Sequence, residues 1–109
     1  MENLNDPLVQ MLTHCAKICE ECVAACLQEK DVEELKFCIR LDLACASLCR
    51  TAASFTIYKL ENNATYELCA DICRQCAKEC DMHSHHDHCK ECAQVCMECA
   101  DACSRAIMV

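Results

Sequence analysis

Glycine and tryptophan are absent from this 109-residue sequence, and Pro7 is its only proline. The phosphate-binding loop and the dinucleotide-binding fingerprint both need glycines at fixed positions, so neither occurs here in its usual form. No pattern resembles a hydrolytic triad, and we expect a protein that is not an enzyme. The shortage of glycine and proline also argues against the loop-rich, disulfide-stapled design of small secreted domains.

Basic residues and long apolar runs are also scarce. Ten lysines and arginines face 18 aspartates and glutamates, and the resulting net charge of −8 disfavours nucleic acid and anionic membranes as partners and favours cations. No apolar run approaches the roughly 18 residues of a membrane span. Residues 1–7 show neither the basic nor the apolar region of a signal peptide. We therefore expect a cytoplasmic protein, in which thiols stay reduced.

Cysteine, in contrast, occurs sixteen times, and the spacing C-x3-C-x2-C-x3-C occurs in three full copies. The copies are Cys15, Cys19, Cys22, Cys26; Cys69, Cys73, Cys76, Cys80; and Cys92, Cys96, Cys99, Cys103, which Cys89 extends by one step. A fourth copy, Cys38, Asp42, Cys45, Cys49, has aspartate in its second position. Steps of four and three match the helical turn, so each set forms a stripe along one helix face.

Capping residues predict four helices in a chain of one domain, residues 1–109. Each begins at a capping residue: Asp6 before Pro7, Asp31 with Glu34 three residues on, Asn62 or Asn63, and Ser84 with Asp87 three residues on. The predicted ends are Gln28, Lys59, Met82 and Ala106. Because every connection is short, we expect an all-α, antiparallel up-down-up-down four-helix bundle with a cysteine-lined core.

The residues that continue the stripes predict two different bundle ends. One end is closed by apolar side chains: Leu8, Met11, Leu12, Ala52, Ala53, Phe55, Tyr66 and Ile107. The other end, which we call the mouth, is polar and carries Glu29, Glu34, Met82, His83, His85, His86 and His88. Four histidines within six positions beside a thiol-lined interior favour metal capture over a merely solvated loop.

A thiol-lined interior points to soft or borderline metals, namely Cu(I), Zn(II) or iron–sulfur clusters. Buried cysteine can serve as a small apolar residue, but that reading does not account for sixteen in repeated register. Charge favours Cu(I), because one monovalent ion per thiolate neutralises the interior while an isolated four-sulfur zinc site keeps two surplus negative charges. Geometry favours it too, since Cu(I) accepts two ligands from one helix. Zinc buffering and an iron–sulfur or thiol-redox function remain the alternatives.

The three full cysteine strings, the partial one through Asp42 and the histidine- and methionine-containing turn together resemble the copper storage proteins, specifically their cytosolic branch. The resemblance covers nearly the whole chain. It implies a four-helix bundle filled with multiple Cu(I) ions held by cysteine pairs, loading at the histidine end, and a homotetramer. A copper chaperone or a cuproenzyme is a candidate recipient of the stored copper. The exported branch carries a twin-arginine signal that this sequence lacks.

The predicted metal ligands are therefore all sixteen cysteines. Predicted auxiliary residues are Asp42, Met82, His83, His85, His86 and His88, with His83 and His85 the best candidates and His88 more exposed to solvent than they are. Asp42 should face the interior, either as an oxygen ligand or as a buried acid satisfied by a neighbouring donor. Met11, Met97 and Met108 indicate only packing. Extra apolar residues on the second helix, including Phe37, Leu41 and Leu43, predict a subunit interface.

Overall fold

The computed structural model describes residues 6–107, so Met108 lies outside the described residues. Its helices are α1 (Pro7–Cys26), α2 (Lys36–Ile57), α3 (Asn63–Asp81) and α4 (Asp87–Ala106), with a short 3-10 helix, Val32–Leu35, before α2. Each helix packs against its neighbours in sequence and α1 also packs against α4, which closes the antiparallel four-helix bundle. None of the described helices is long and apolar enough to span a bilayer.

Two of the four predicted caps are confirmed by side-chain hydrogen bonds. The Asp6 carboxylate accepts the backbone N–H of Leu8 at 2.7 Å, and Pro7 occupies the first turn of α1. The Asn62 side chain accepts the backbone N–H of Thr65 at 2.9 Å. These bonds satisfy donors that a helix N-terminus otherwise leaves unpaired, so the sequence located the starts of α1 and α3 correctly.

The other two predicted caps are wrong. Asp31 forms no side-chain cap; its backbone carbonyl accepts the Glu34 N–H at 2.9 Å to open the 3-10 helix, and its carboxylate turns toward histidines. α4 begins at Asp87 after His86 rather than at Ser84, which lies in the preceding turn. The Asp31 carboxylate instead lies 3.1 Å from Nε2 of His86, the residue that directly precedes α4.

α2 ends two residues before the predicted Lys59, and its end shows how a chain without glycine closes a helix. Lys59 takes the left-handed conformation, with φ of 63°. The Leu60 N–H donates to the Phe55 carbonyl at 2.7 Å and the Lys59 N–H to Thr56 at 3.2 Å. This is the Schellman arrangement, in which glycine usually occupies the left-handed position. Lysine there costs roughly 1–2 kcal/mol.

The apolar end is closed as predicted. Leu12 is fully buried, Tyr66 is 3% exposed, and Leu8, Met11 and Ile107 pack against them more loosely. The structure adds a polar pair that the sequence did not reveal: Thr56 is buried, lies 2.8 Å from the Tyr66 hydroxyl, and donates to the Ala52 carbonyl at 2.8 Å. The described residues include no buried side-chain nitrogen or oxygen that lacks a partner.

The outer face of α2 keeps exposed apolar residues. Phe37 and Leu43 are each about half exposed, at 51% and 52%, whereas Leu41 is buried. The Arg40 guanidinium lies 5.8 Å from the centre of the Phe37 ring. α2 therefore carries apolar side chains on its surface in addition to those that it buries in the bundle interior.

Candidate metal centre

The interior of the bundle is a column of sulfur. All sixteen cysteines are free thiols, and each is at most 1% exposed. The helices direct them inward because their spacing follows the helical turn, so each i, i+4 pair stays on one face. Four of these pairs lie 3.9 to 4.0 Å apart, among them Cys22 with Cys26 and Cys45 with Cys49. The predicted stripes are therefore present.

The shortest sulfur contacts, however, join different helices. Cys38 and Cys80 lie 3.2 Å apart between α2 and α3, and Cys45 and Cys73 lie 3.5 Å apart between the same helices. Sets of four ligand atoms lie within 4.8 Å of one another: Cys15, Cys49, Cys73, Cys99; Cys15, Cys19, Cys45, Cys96; Cys19, Cys76, Cys92, Cys96; and Cys22, Cys26, Cys38, Cys89. The first set takes one thiol from each helix.

These sets weaken the argument that ligand geometry favours Cu(I) over zinc. Sulfur atoms around a tetrahedral zinc ion lie about 3.8 Å apart, given a zinc–sulfur bond of about 2.3 Å. Many contacts in the column have nearly that length, for example 3.8 Å between Cys49 and Cys99. Ligand geometry alone therefore accommodates zinc as well as copper, and only the charge argument separates the two metals on physical grounds.

Burial favours the protonated form of the thiols nearest the mouth when no metal is present. Burial is the main reason that the pKa of Cys26 is raised, and it raises the pKa of Cys89 to about 12. A buried thiolate would lie in a medium of low polarity without a compensating cation. These thiols are thus neutral and buried without metal, as a cage that forms before metal arrives requires.

Asp42 is the one acid within this column. It is fully buried, and its Oδ1 accepts the thiols of Cys76 at 3.0 Å and Cys92 at 3.2 Å, with Cys80 at 3.6 Å. Burial raises the pKa of Asp42 to about 8. The expectation that Asp42 faces the interior is confirmed, and its partners are thiols rather than a basic residue.

His88 is the histidine that contacts the sulfur column. Its Nδ1 lies 3.6 Å from the sulfur of Cys22, 3.8 Å from that of Cys26 and 3.5 Å from that of Cys89. Its Nε2 lies 2.8 Å from a Glu29 carboxylate oxygen, which can only accept, so the proton sits on Nε2. The lone pair on Nδ1 then faces the three thiols.

The expected order of histidine exposure is wrong for His85 and correct for His83. His88 was expected to be more exposed than His83 and His85, yet its side chain is 22% exposed and that of His85 is 62% exposed. His83 lies 2.9 Å from a Glu79 carboxylate oxygen along α3 and its side chain is 14% exposed. His88 belongs to the first turn of α4, whereas His83 and His85 belong to the turn before it, where the helical stripe no longer applies.

An ionic cluster outside the thiols is formed by Glu29, Asp31, His85 and His86. His86 lies between two carboxylates, with Nδ1 3.1 Å from Glu29 and Nε2 3.1 Å from Asp31. The Asp31 hydrogen bond raises the pKa of His86 and lowers that of Asp31. Met82 is 69% exposed, away from the column. From the sequence, Asp31 was predicted only as a helix cap. The feature that could have indicated its contact with histidines is that it lies in one connection at the same bundle end as the histidine-containing connection.

The fold and this interior define a helical-bundle protein that binds metal ions through buried cysteines. The family described as copper storage protein matches residues 1–108, and this chain belongs to that family. It is 36% identical over 108 residues to the uncharacterized cysteine-rich protein YhjQ of Bacillus subtilis, with 94% of this chain and 95% of that protein covered. The family description is one of storage, which agrees with the expectation of a non-catalytic protein.

Solved structures agree. The Cu(I)-bound copper storage protein BsCsp3 superposes with a TM-score of 0.85 at 36% identity, covering 93% of this chain and 95% of that one. A cytosolic copper storage protein from Streptomyces lividans holding five coppers gives 0.83 at 33% identity, covering 90% and 87%. The relatives with bound copper support the charge argument where ligand geometry does not decide.

Proposed function

We propose that this protein stores several Cu(I) ions inside the bundle, each held by thiolates of the sixteen cysteines. The observation that carries the proposal is a continuous column of fully buried thiols in which Asp42 is the only buried acid. Each Cu(I) that displaces a thiol proton leaves that part of the interior neutral, whereas divalent ions in four-sulfur sites leave negative charge in a medium of low polarity. Family membership supports the same metal.

The same proposal places copper loading at the mouth and gives His88 the first contact. The outermost thiols, including Cys26 and Cys89, have no exposed surface, so an arriving ion cannot reach them directly. His88 is partly exposed and contacts both. Metal-binding histidines usually donate their other N–H to a carboxylate, and Glu29 already accepts that bond. Asp42 would add an oxygen ligand where the fourth stripe lacks its sulfur.

The location is inferred from a relative, and the assembly from the apolar surface of α2. A reducing cytoplasm keeps thiols available, and a relative from Streptomyces lividans is described as cytosolic. For a homotetramer, the exposed Phe37 and Leu43 of α2 offer apolar surface for a second copy to cover. A copper chaperone or a cuproenzyme would receive the copper at the mouth. Residues 1–109 would then act as one storage domain.

The test is an anaerobic titration of the reduced protein with Cu(I), competed against a chromogenic Cu(I) chelator, with Zn(II) titrated in parallel. Tight uptake approaching one copper per cysteine, with little change in helicity, supports a preformed copper store. Cys45→Ser should lower the copper capacity. Ser47→Ala, at an exposed position two residues away, is the control and should leave the capacity unchanged. Preferential zinc uptake, or saturation at a few coppers, contradicts the proposal.

A further inference from the structure

The ionic cluster at the mouth has the donor set of a metal site of a different chemical kind. It brings together residues from two connections: Asp31 at the start of the 3-10 helix, and His85 and His86 in the turn between α3 and α4. These three side chains form no hydrogen bond with a thiol, whereas His88 contacts three thiols. Imidazole and carboxylate ligands suit borderline divalent ions such as Zn(II) and Cu(II) rather than Cu(I).

The distances fit one shared ion. Ligand atoms around a tetrahedral zinc ion with bonds of about 2.0–2.1 Å lie about 3.3 Å apart. An Asp31 carboxylate oxygen lies 3.1 Å from Nε2 of His86 and 3.6 Å from Nε2 of His85, values on either side of that separation. The ring centres of His85 and His86 lie 4.3 Å apart, so an ion bonded to this oxygen and to both imidazoles would need only modest side-chain movements.

A second carboxylate stands behind His86. Glu29 lies 3.1 Å from Nδ1, on the opposite side of the ring from Asp31. An Nδ1–H bond to Glu29 would direct the Nε2 lone pair toward Asp31, which is the orientation that carboxylates impose on metal-binding histidines in general. The two carboxylates also leave this cluster with more negative than positive charge, which a divalent cation would balance.

We propose that Asp31, His85 and His86 form a surface site for one borderline divalent cation, with Glu29 as the residue that orients His86. The ion would link the two connections that border the mouth, in the part of the structure through which copper is proposed to pass. The side chains are accessible to a solvated ion, with His85 62% and Asp31 29% exposed.

The test uses protein first saturated with Cu(I), so that the thiols are occupied, and then dialysed against zinc sulfate before both metals are measured. We expect about one zinc per chain without loss of copper. His86→Ala should abolish this zinc, and Glu29→Gln should weaken its binding about 10- to 100-fold. His14→Ala, which changes an exposed histidine of α1 far from the cluster, should bind zinc as the parent does.

X-ray absorption at the zinc edge identifies the ligands. The proposal requires a shell of nitrogen and oxygen at about 2.0–2.1 Å, whereas thiolate binding would place sulfur at about 2.3 Å. Sulfur in the zinc shell, no zinc uptake, or zinc retained equally by His86→Ala would each overturn the proposed site. If the protein fails to load copper in the first step, that result contradicts the storage proposal and not the surface site. A zinc shell made of nitrogen and oxygen alone would identify the surface site in that case too.

Discussion

Replacing Asp42 by Asn should stabilise the metal-free protein in a pH-dependent way. The carboxyl has a pKa of about 8 in the folded protein, against 3.8 for its ordinary value. Between these pH values the unfolded chain loses this proton and the folded chain keeps it, so folding stability falls as pH rises from about 4 to 8. At 1.36 kcal/mol per pKa unit, the cost at pH 7 is about 4 kcal/mol. Asn carries no such proton and escapes this cost.

Urea unfolding of the reduced, metal-free protein, followed by far-UV circular dichroism between pH 5 and 7, measures this difference. Asp42→Asn should exceed the parent in unfolding free energy by about 2 kcal/mol at pH 5, and the gap should widen by about 1.4 kcal/mol per pH unit. Asp101→Asn, a matched change at an exposed position of α4, should show no such widening. A gap that does not change with pH would refute the reasoning.

Three further predictions each concern a single residue. Lys59→Gly should raise the unfolding free energy by about 1 kcal/mol in urea titrations, because glycine adopts the left-handed conformation without strain; unchanged stability would contradict this. Tyr66→Phe should lower stability by about 1 kcal/mol, since it removes the bond with Thr56 and keeps the ring; a larger loss would mean that packing, not the bond, was disturbed. His88→Ala should slow Cu(I) uptake from a chelator in stopped-flow experiments with total capacity nearly unchanged, and His14→Ala should not; a halved capacity would show that His88 holds stored copper rather than passing it on.

Much of the fold could be predicted because the cysteines repeat with the period of the helix. A residue pattern of that period places its members on one face whatever the tertiary structure, so four stripes required four helices with a shared sulfur-lined interior. The caps at Asp6 and Asn62 were predictable for the same reason, since both bonds are local. The interior position of Asp42 followed from its place in the stripe.

The mouth could not be predicted in the same way. The helical period ends at Asp81 and resumes at Asp87. It therefore does not predict the side-chain directions of the histidines in this connection and at the start of α4. His88 turns inward because it lies in the first turn of α4, and His86 turns toward Asp31 because another connection brings that carboxylate near. Such contacts depend on residues more than fifty positions apart.

By itself, then, the sequence determined the helices and the inward direction of every thiol. It also determined that a monovalent metal ion is favoured, because one such ion per thiolate leaves the interior neutral. Only the tertiary structure decided which sulfurs meet across helices, that four-sulfur sets large enough for zinc also exist, and which histidine contacts the column. The physical reason is that helical periodicity is a local property, whereas these distances depend on how the four helices and their connections pack together.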